Sequence, residues 1–482
     1  VTLNLLDVEV DVEGIYRPRA FVIEPDYLVD VTAVAECFKP DGNEPWLHLL
    51  KKYLPIPPNK HLLLGHIANF FLDELLGNPE ASFKELFPKV FHLNPLAFCL
   101  FSDREVREIM QRAQGHYVNL RRAIVRDLSE AGIDPAHAYL EPSFYSERYG
   151  LQGRLDLLYR DDHKSAIVEL KSGKPFMPNI HGLSNNHFVE TLLYDLLIRS
   201  TFGRDSDPLS YILYSSQQER ALRYAPRVGA QQYEALQVRN HLLALEHLLA
   251  QLGAPGTDLL RDGRRLFGRL RPGRFPAARG FFRRDLADFA AAFDGLDEVE
   301  QRYFTAYSGF IAREHRLAKT GVQGIDRLNG QASLWLNSLE EKRDGFEVIS
   351  HLQVLENRAG EEEPLVTFAK TEATNDLANF RRGDIAVLYP YLEGKPDVLN
   401  NQIFKCTILD ITAAEVVVRL RSRQFNDALF QRVETWNLEH DLLDSGFLSL
   451  YRGLYAFAAA PRDRRDLLLG RRPPRQGNDG AV

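Results

Sequence analysis

Cysteine is scarce and scattered. Only Cys37, Cys99 and Cys406 occur in 482 residues, and none forms a CxxC pair. That argues against a zinc ribbon or a disulfide framework and fits a reducing cytoplasm. No apolar run approaches the roughly 18 residues needed to span a bilayer, so no membrane segment is expected. The opening, VTLNLLDVEVDVEG, is acidic and lacks the basic and apolar regions of a signal peptide. No GxxxxGK[ST] occurs, which removes the phosphate-cradling loop of an ATP site. Positive charge is also short, with 59 Lys and Arg against 66 Asp and Glu and a net charge of −7. Contact with a polyanion would therefore need a local basic surface.

What is present fits a globular chain of two or three domains, with 45% hydrophobic and 26% charged residues. Apolar spacing predicts helices over Leu62–Leu76, Asp103–Ala131, Asn186–Arg199 and Ala230–Leu252. Strands are expected near Leu155–Tyr159, Ser165–Leu170 and Leu209–Tyr214, the first two joined by the turn Arg160–Lys164. From Gly253 to Arg284 the chain turns rich in Arg, Gly and Pro, which reads either as a solvated connector or as a loop contacting a nucleic-acid strand. Arg264, Arg265, Arg269, Arg271 and Arg274 are the residues such a loop would use. Asp297–Lys342 reads as helical, and Phe346–Leu420 as several short strands suited to a small barrel. The end, RRPPRQGNDGAV, reads as a disordered tail.

One segment carries chemistry: EPSFYSERYGLQGRLDLLYRDDHKSAIVELKSGKPF, followed by HFVETLLY. Glu169 and Lys171 stand two apart in a strand and so share a face. Asp156, one strand earlier, can approach Glu169 if the two strands pair. Two carboxylates suit a hard divalent cation, Mg²⁺ or Mn²⁺, and an ammonium suits the charge of a phosphoryl transition state. Asp-Glu-x-Lys sets also occur on solvated strand faces. Here the aliphatic AIVEL and the flanking Gly150 and Gly153 favour an enclosed site. On the next helix His187, Glu190 and Tyr194 are spaced i, i+3, i+7 and share a face, a polar stripe fit to line a cleft.

GLQGRLDLLY, AIVELKSGK and HxxExxxY together resemble the RecB-like branch of the PD-(D/E)xK nucleases, whose last motif is usually QxxxY. The likeness is closest to the nuclease module of Dna-two-type helicase–nucleases. YLVDVTAVAECF resembles that family's entry segment, and YEALQVRNHLLALEHLL resembles its helix after the nuclease strands. Further on, EQRYFTAYSGFIAREHRLAKTG resembles the stalk, and FRRGDIAVLYP with NQIFKCTILDI resembles the barrel of superfamily 1 helicases. The resemblance implies an α/β restriction-endonuclease-like core over 1–250, a mixed central sheet flanked by helices. After it would come a basic connector with stalk helices over 251–345, a small β-barrel over 346–425, and a helical segment with tail over 426–482. It implies metal-dependent cleavage of single-stranded or flap DNA in replication, recombination or repair. Asp156 and Glu169 would be ligands, Lys171 the catalytic ammonium, Glu141 an outer ligand, and His187, Glu190 and Tyr194 substrate-positioning residues.

The chain departs from that pattern in three ways. With no ATP loop, it stops where the first ATPase motif would be expected, implying a helicase or ATPase module missing from this chain. Without four clustered cysteines, no iron–sulfur cluster is expected. Where many RecB-like enzymes place a histidine in GxxxH, Gly65 is followed by Asn69, whose amide oxygen can still face Mg²⁺. His66 and Asp73 lie nearby, His66 turned about 60° away on the helix. Asn69 and the Glu190 that replaces Gln motivate an alternative, a DNA-binding scaffold whose nuclease has lapsed.

Overall fold

The computed structural model describes residues 2–161, 164–203, 206–322, 330–392 and 397–474. Asp162 and His163, within the expected turn, and the last eight residues of the expected tail lie outside that set. The chain is a mixed α/β protein that divides into two compact units, each assembled from separated segments. The first takes residues 1–44, 57–240 and 318–442, and the second takes 45–56, 241–317 and 443–482. Each unit thus gathers segments from several of the consecutive divisions that the resemblance implies. Among the described residues no helix is long and apolar enough to cross a membrane.

In the first unit, the strand β1 (Val29–Asp30) leads into a short helix, α1 (Val31–Ala35), capped by the Asp30 carboxylate. Two long helices follow, α2 (Lys60–Gly77) and α3 (Asp103–Arg122), the second continuing through a π-helical stretch to Leu128. The strands β2 (Ala138–Leu140), β3 (Ser143–Ser146), β4 (Leu151–Arg154), β5 (Leu157–Arg160) and β6 (Ser165–Lys171) precede helix α4 (Asn185–Phe202). The strands β7 (Leu209–Tyr214) and β8 (Leu222–Ala225) come after it. A five-stranded sheet has the order β8-β7-β6-β5-β2. Within it β5 and β6 form an antiparallel pair with Leu157 opposite Val168, while β6 and β7 run parallel, connected through α4.

Parallel neighbours need such a crossover, and the central strand is then covered on both faces. That is why SAIVEL reads as a continuous apolar run interrupted only by Glu169: every residue from Ser165 to Leu170 is buried. Ala166, Val168 and Leu170 pack into the core beneath α2 and α3. Phe188 and Leu192 of α4 pack with Ile212 and Tyr214 of β7. A second, three-stranded sheet joins β1, β4 and β3, with β1 parallel to β4.

The same unit contains a closed six-stranded antiparallel barrel. Its strands are β9 (Val348–Arg358), β10 (Leu365–Ala369), β11 (Ile385–Pro390), β12 (Phe404–Ile411), β13 (Glu415–Leu420) and β14 (Trp436–His440). The closing strand β14 lies beyond residue 425, where the barrel was expected to end. Four of its five residues are buried, Trp436 and Leu438 in the barrel core and the alternating Asn437 and Glu439 among the buried polar residues. The region expected to be helical, Asp297–Lys342, contains a helix over Glu298–Thr320 and two short helices, Ser333–Leu336 and Leu339–Asp344, with 323–329 outside the described residues.

The second unit is helical around an aromatic core that includes Tyr53, Phe267, Phe289, Phe293, Phe304 and Tyr451. The arginine-rich stretch belongs to it and is folded rather than an open connector. Leu259–Phe267 and Gly280–Asp294 are helices, because Leu266, Phe267, Leu286 and Phe289 recur at helical spacing and enter the core. Arg264 is bonded to Gln301 at 2.8 Å, Arg271 pairs with Asp294 at 2.7 Å, and Arg269 lies over the Trp46 ring. Arg265 borders a cavity of about 360 Å³, and Arg274 ends a 3₁₀ turn.

Candidate active site

Asp156, Glu169, Lys171 and Glu190 meet at the carboxyl end of β6, where α4 crosses it. Asp156 stands at the bend just before β5 rather than inside a strand. Its Oδ2 accepts the Leu170 N–H at 2.7 Å, and its own carbonyl accepts the Glu141 N–H at 3.0 Å. The carboxylate is thus tied to the neighbouring strand one residue from Glu169. The Lys171 ammonium lies 2.9 Å from Glu169 Oε1 and 2.6 Å from Glu190 Oε2. Glu190 Oε1 in turn accepts the Thr32 hydroxyl at 2.8 Å. The second oxygen of Glu169, on a side chain only 6% exposed, is buried and accepts no hydrogen bond.

One ammonium therefore serves three acidic groups. Burial pushes the Glu169 carboxyl well above the usual range, and the nearby Asp156 adds to the shift. Asp156 is raised by burial too, against the pull of Lys171. Burial opposes the charge on Lys171, yet Glu169, Glu190 and Asp156 together hold its pKa well above normal. Buried carboxylates crowded together behave in this way, because burial and like charge both disfavour the ionised form.

The other expected residues take distinct places. Tyr194 is buried and donates to the Arg154 carbonyl at 2.9 Å, bracing β4 instead of facing open space. Gly153 permits that packing: a Cβ there would stand 2.9 Å from the Tyr194 ring and 3.1 Å from Leu197 and Val31. His187 lies 3.2 Å from the Tyr214 hydroxyl, and burial, helped by Lys171, lowers its pKa to about 3, so it is neutral at pH 7. Glu141 commits one oxygen to Arg154 at 2.7 Å and to the Ser422 hydroxyl of the segment after the barrel strand β13. Its backbone is left-handed, with φ of 46°, a strained conformation for a side chain of this kind. Neighbouring Arg423 pairs with Glu74 on α2.

On α2, a Cβ at Gly65 would lie 3.6 Å from the Ser172 hydroxyl, beside Lys171. Burial raises the Asp73 carboxyl well above normal, and Glu141 and Asp156 lie close enough to raise it further. Residues 65, 69 and 73 fall on one helical face, so Asn69 stands between these points on the side of the site, while His66 is exposed. Sequence reasoning named Asp73 only as lying near Asn69, without a role, and missed Thr32. Asp73 was detectable from its i+4 spacing to Asn69. Thr32 had no local signal, since its partner lies 158 residues away.

Among the described residues no three His, Cys, Asp or Glu side chains gather as a ready metal cage. The donor set is two adjoining carboxylates, one with an unsatisfied buried oxygen. That fits Mg²⁺, which takes one or two carboxylates and retains water. No family model matches the chain, and no curated protein is similar to it.

Proposed function

We propose that this protein is a divalent-metal-dependent deoxyribonuclease with a RecB-like PD-(D/E)xK core, hydrolysing phosphodiester bonds of single-stranded or flap DNA, and that it forms the nuclease part of a helicase–nuclease. The observation that carries the reading is the unsatisfied Glu169 oxygen beside Asp156, with Lys171 held at the same place. A structural ion pair would have no reason to bury an unpaired carboxylate oxygen, which costs about 1–3 kcal/mol. A site prepared for a cation would.

Asp156 and Glu169 would hold Mg²⁺ or Mn²⁺, which when bound supplies an activated water and neutralises phosphate charge. Lys171 offers its ammonium to the phosphoryl oxygens, where charge accumulates. Glu169 and Glu190 fix its direction from two sides, and Thr32 fixes Glu190. Neutral His187 can donate or accept a hydrogen bond but carries no charge at pH 7. The barrel segment reaches the same place through Ser422 and Glu141, so a partner acting on the barrel would have a route to the site.

The 2.6 Å contact of Glu190 with Lys171 also supports a second reading, a scaffold that binds DNA without cutting it. Lys171→Ala decides between them. Under the nuclease reading it abolishes metal-dependent cleavage and leaves DNA binding largely intact. Equal turnover by this variant would remove Lys171 from the chemistry, and no cleavage by either protein would favour the scaffold.

A further inference from the structure

Beyond Lys171, lined by none of the site's carboxylates, lies a cleft of about 490 Å³. Its walls are the 38–40 turn, the end of β6 with the following Ser172–Lys174, and the first residues of α4. Among the described residues that line it none is acidic, and three are lysines: Lys39, Lys174 and Lys171, the last already paired with Glu169 and Glu190. In a chain of net charge −7 this local balance matches an anion. Lys174 is exposed and has no partner among the described residues.

The amino end of α4 adds donors. Ser184, its N-cap residue, makes no side-chain cap bond, because its hydroxyl accepts the Phe176 N–H at 2.8 Å. The first-turn N–H groups therefore remain available beside Lys174. That same bond fixes the backbone of Phe176 while leaving its ring 69% exposed. The lip beyond it is internally tied: Asn179 Oδ1 accepts from His181 N at 3.0 Å and Leu183 N at 3.1 Å. Yet it shows Met177 and Ile180 to solvent as well. An ordered lip that displays apolar side chains next to a cationic cleft combines the two elements of single-strand recognition, a phosphate seat and a stacking surface.

We propose that this cleft seats the nucleotide adjoining the scissile phosphate, with its backbone phosphate at Lys174 and the first turn of α4 and its base on Phe176. The inference rests on the nuclease reading for the position of the scissile phosphate. A base inside a duplex cannot lie on Phe176 without leaving its stack, so the cleft selects single strands.

The test uses the full chain in EDTA, where an end-labelled single-stranded oligonucleotide stays intact, and reads binding by fluorescence anisotropy. Phe176→Ala is expected to weaken binding roughly tenfold without changing the salt dependence. Lys174→Ala is expected to lower the slope of log affinity against log salt by about 0.7. Both side chains are exposed, and matching melting temperatures would show that the variants fold. Binding of both variants with wild-type affinity and slope overturns the proposal, as does equal loss on a blunt duplex or no binding by wild type. Cleavage in Mg²⁺ is scored separately: if it persists while these binding effects are missing, the cleft assignment fails and the nuclease reading stands.

Discussion

Glu169→Gln is predicted to make the metal-free protein more stable. In the folded state Glu169 is buried, its carboxylate lies near Asp156 and Glu190, and Oε2 has no hydrogen bond. Gln keeps the shape and retains an oxygen for the Lys171 ammonium, now 2.9 Å from Oε1. It removes one of the competing charges, and an unsatisfied neutral group costs less than an unsatisfied ionised one. The gain should be about 1 kcal/mol, since the Gln amide keeps part of the roughly 1–3 kcal/mol cost of an unsatisfied buried group. Its pH dependence follows from the sign of the shift. The folded pKa is raised, so the wild type keeps full stability below the ordinary Glu value of about 4.3 and loses it as pH rises through the folded value. The advantage of the Gln variant should therefore be small near pH 4 and grow toward neutrality. Urea unfolding in EDTA at several pH values measures it. In the same assay Lys171→Met, which leaves the carboxylates unneutralised, should lose about 3–5 kcal/mol. A Glu169→Gln protein no more stable than wild type at pH 7 would refute the reasoning, since Glu169 would then carry no strain for a cation to relieve.

Other consequences can be measured directly. Arg239 is fully buried and donates to the carbonyls of Gly150, Glu24, Tyr27 and Ile23, so Arg239→Met should cost about 3–5 kcal/mol in urea unfolding; a loss under 1 kcal/mol would contradict that role. Gly153→Ala should cost about 1–3 kcal/mol by crowding Tyr194, Leu197 and Val31, and a neutral result would mean that β4 and α4 separate easily. In the second unit burial would raise the Glu246 carboxyl, but Lys52 at 2.7 Å and His48 at 2.8 Å hold it below its ordinary value. Its stabilising contribution is present above the unfolded Glu value of about 4.3 and is lost as pH falls through the folded value. Glu246→Gln should flatten that acid limb in urea melts, and an unchanged limb would exclude Glu246 as its source.

The catalytic candidates were legible because strand periodicity is short and strict. Glu169 and Lys171 had to share a face, and Asp156 could approach them if the two strands paired, as they do, although it stands at a bend and not inside the strand. The helix face of Glu190 followed from its spacing in the same way. Contacts made across long sequence separations were not legible. Thr32 reaches Glu190, and Ser422 reaches Glu141 from 281 residues away, through tertiary packing that no local pattern encodes. Tyr194 shows the limit of a face argument: it lies on the expected stripe but bonds the Arg154 carbonyl behind the strand. Composition misled at Gly253–Arg284, where the arginines suggested an open connector while Leu266, Phe267, Leu286 and Phe289 supplied a helical core. The strand Trp436–His440 does alternate, with Trp436 and Leu438 in the core, but at five residues it pairs with β9 and β11 across long separations that no local pattern encodes.

The central claim is most directly tested by incubating end-labelled single-stranded DNA with the protein in Mg²⁺, Mn²⁺ or EDTA, beside Asp156→Asn. The account predicts shortened products with either metal, none in EDTA and none from the variant. Products that persist undiminished in the Asp156→Asn protein, or folded wild type that cuts with neither metal, would contradict it.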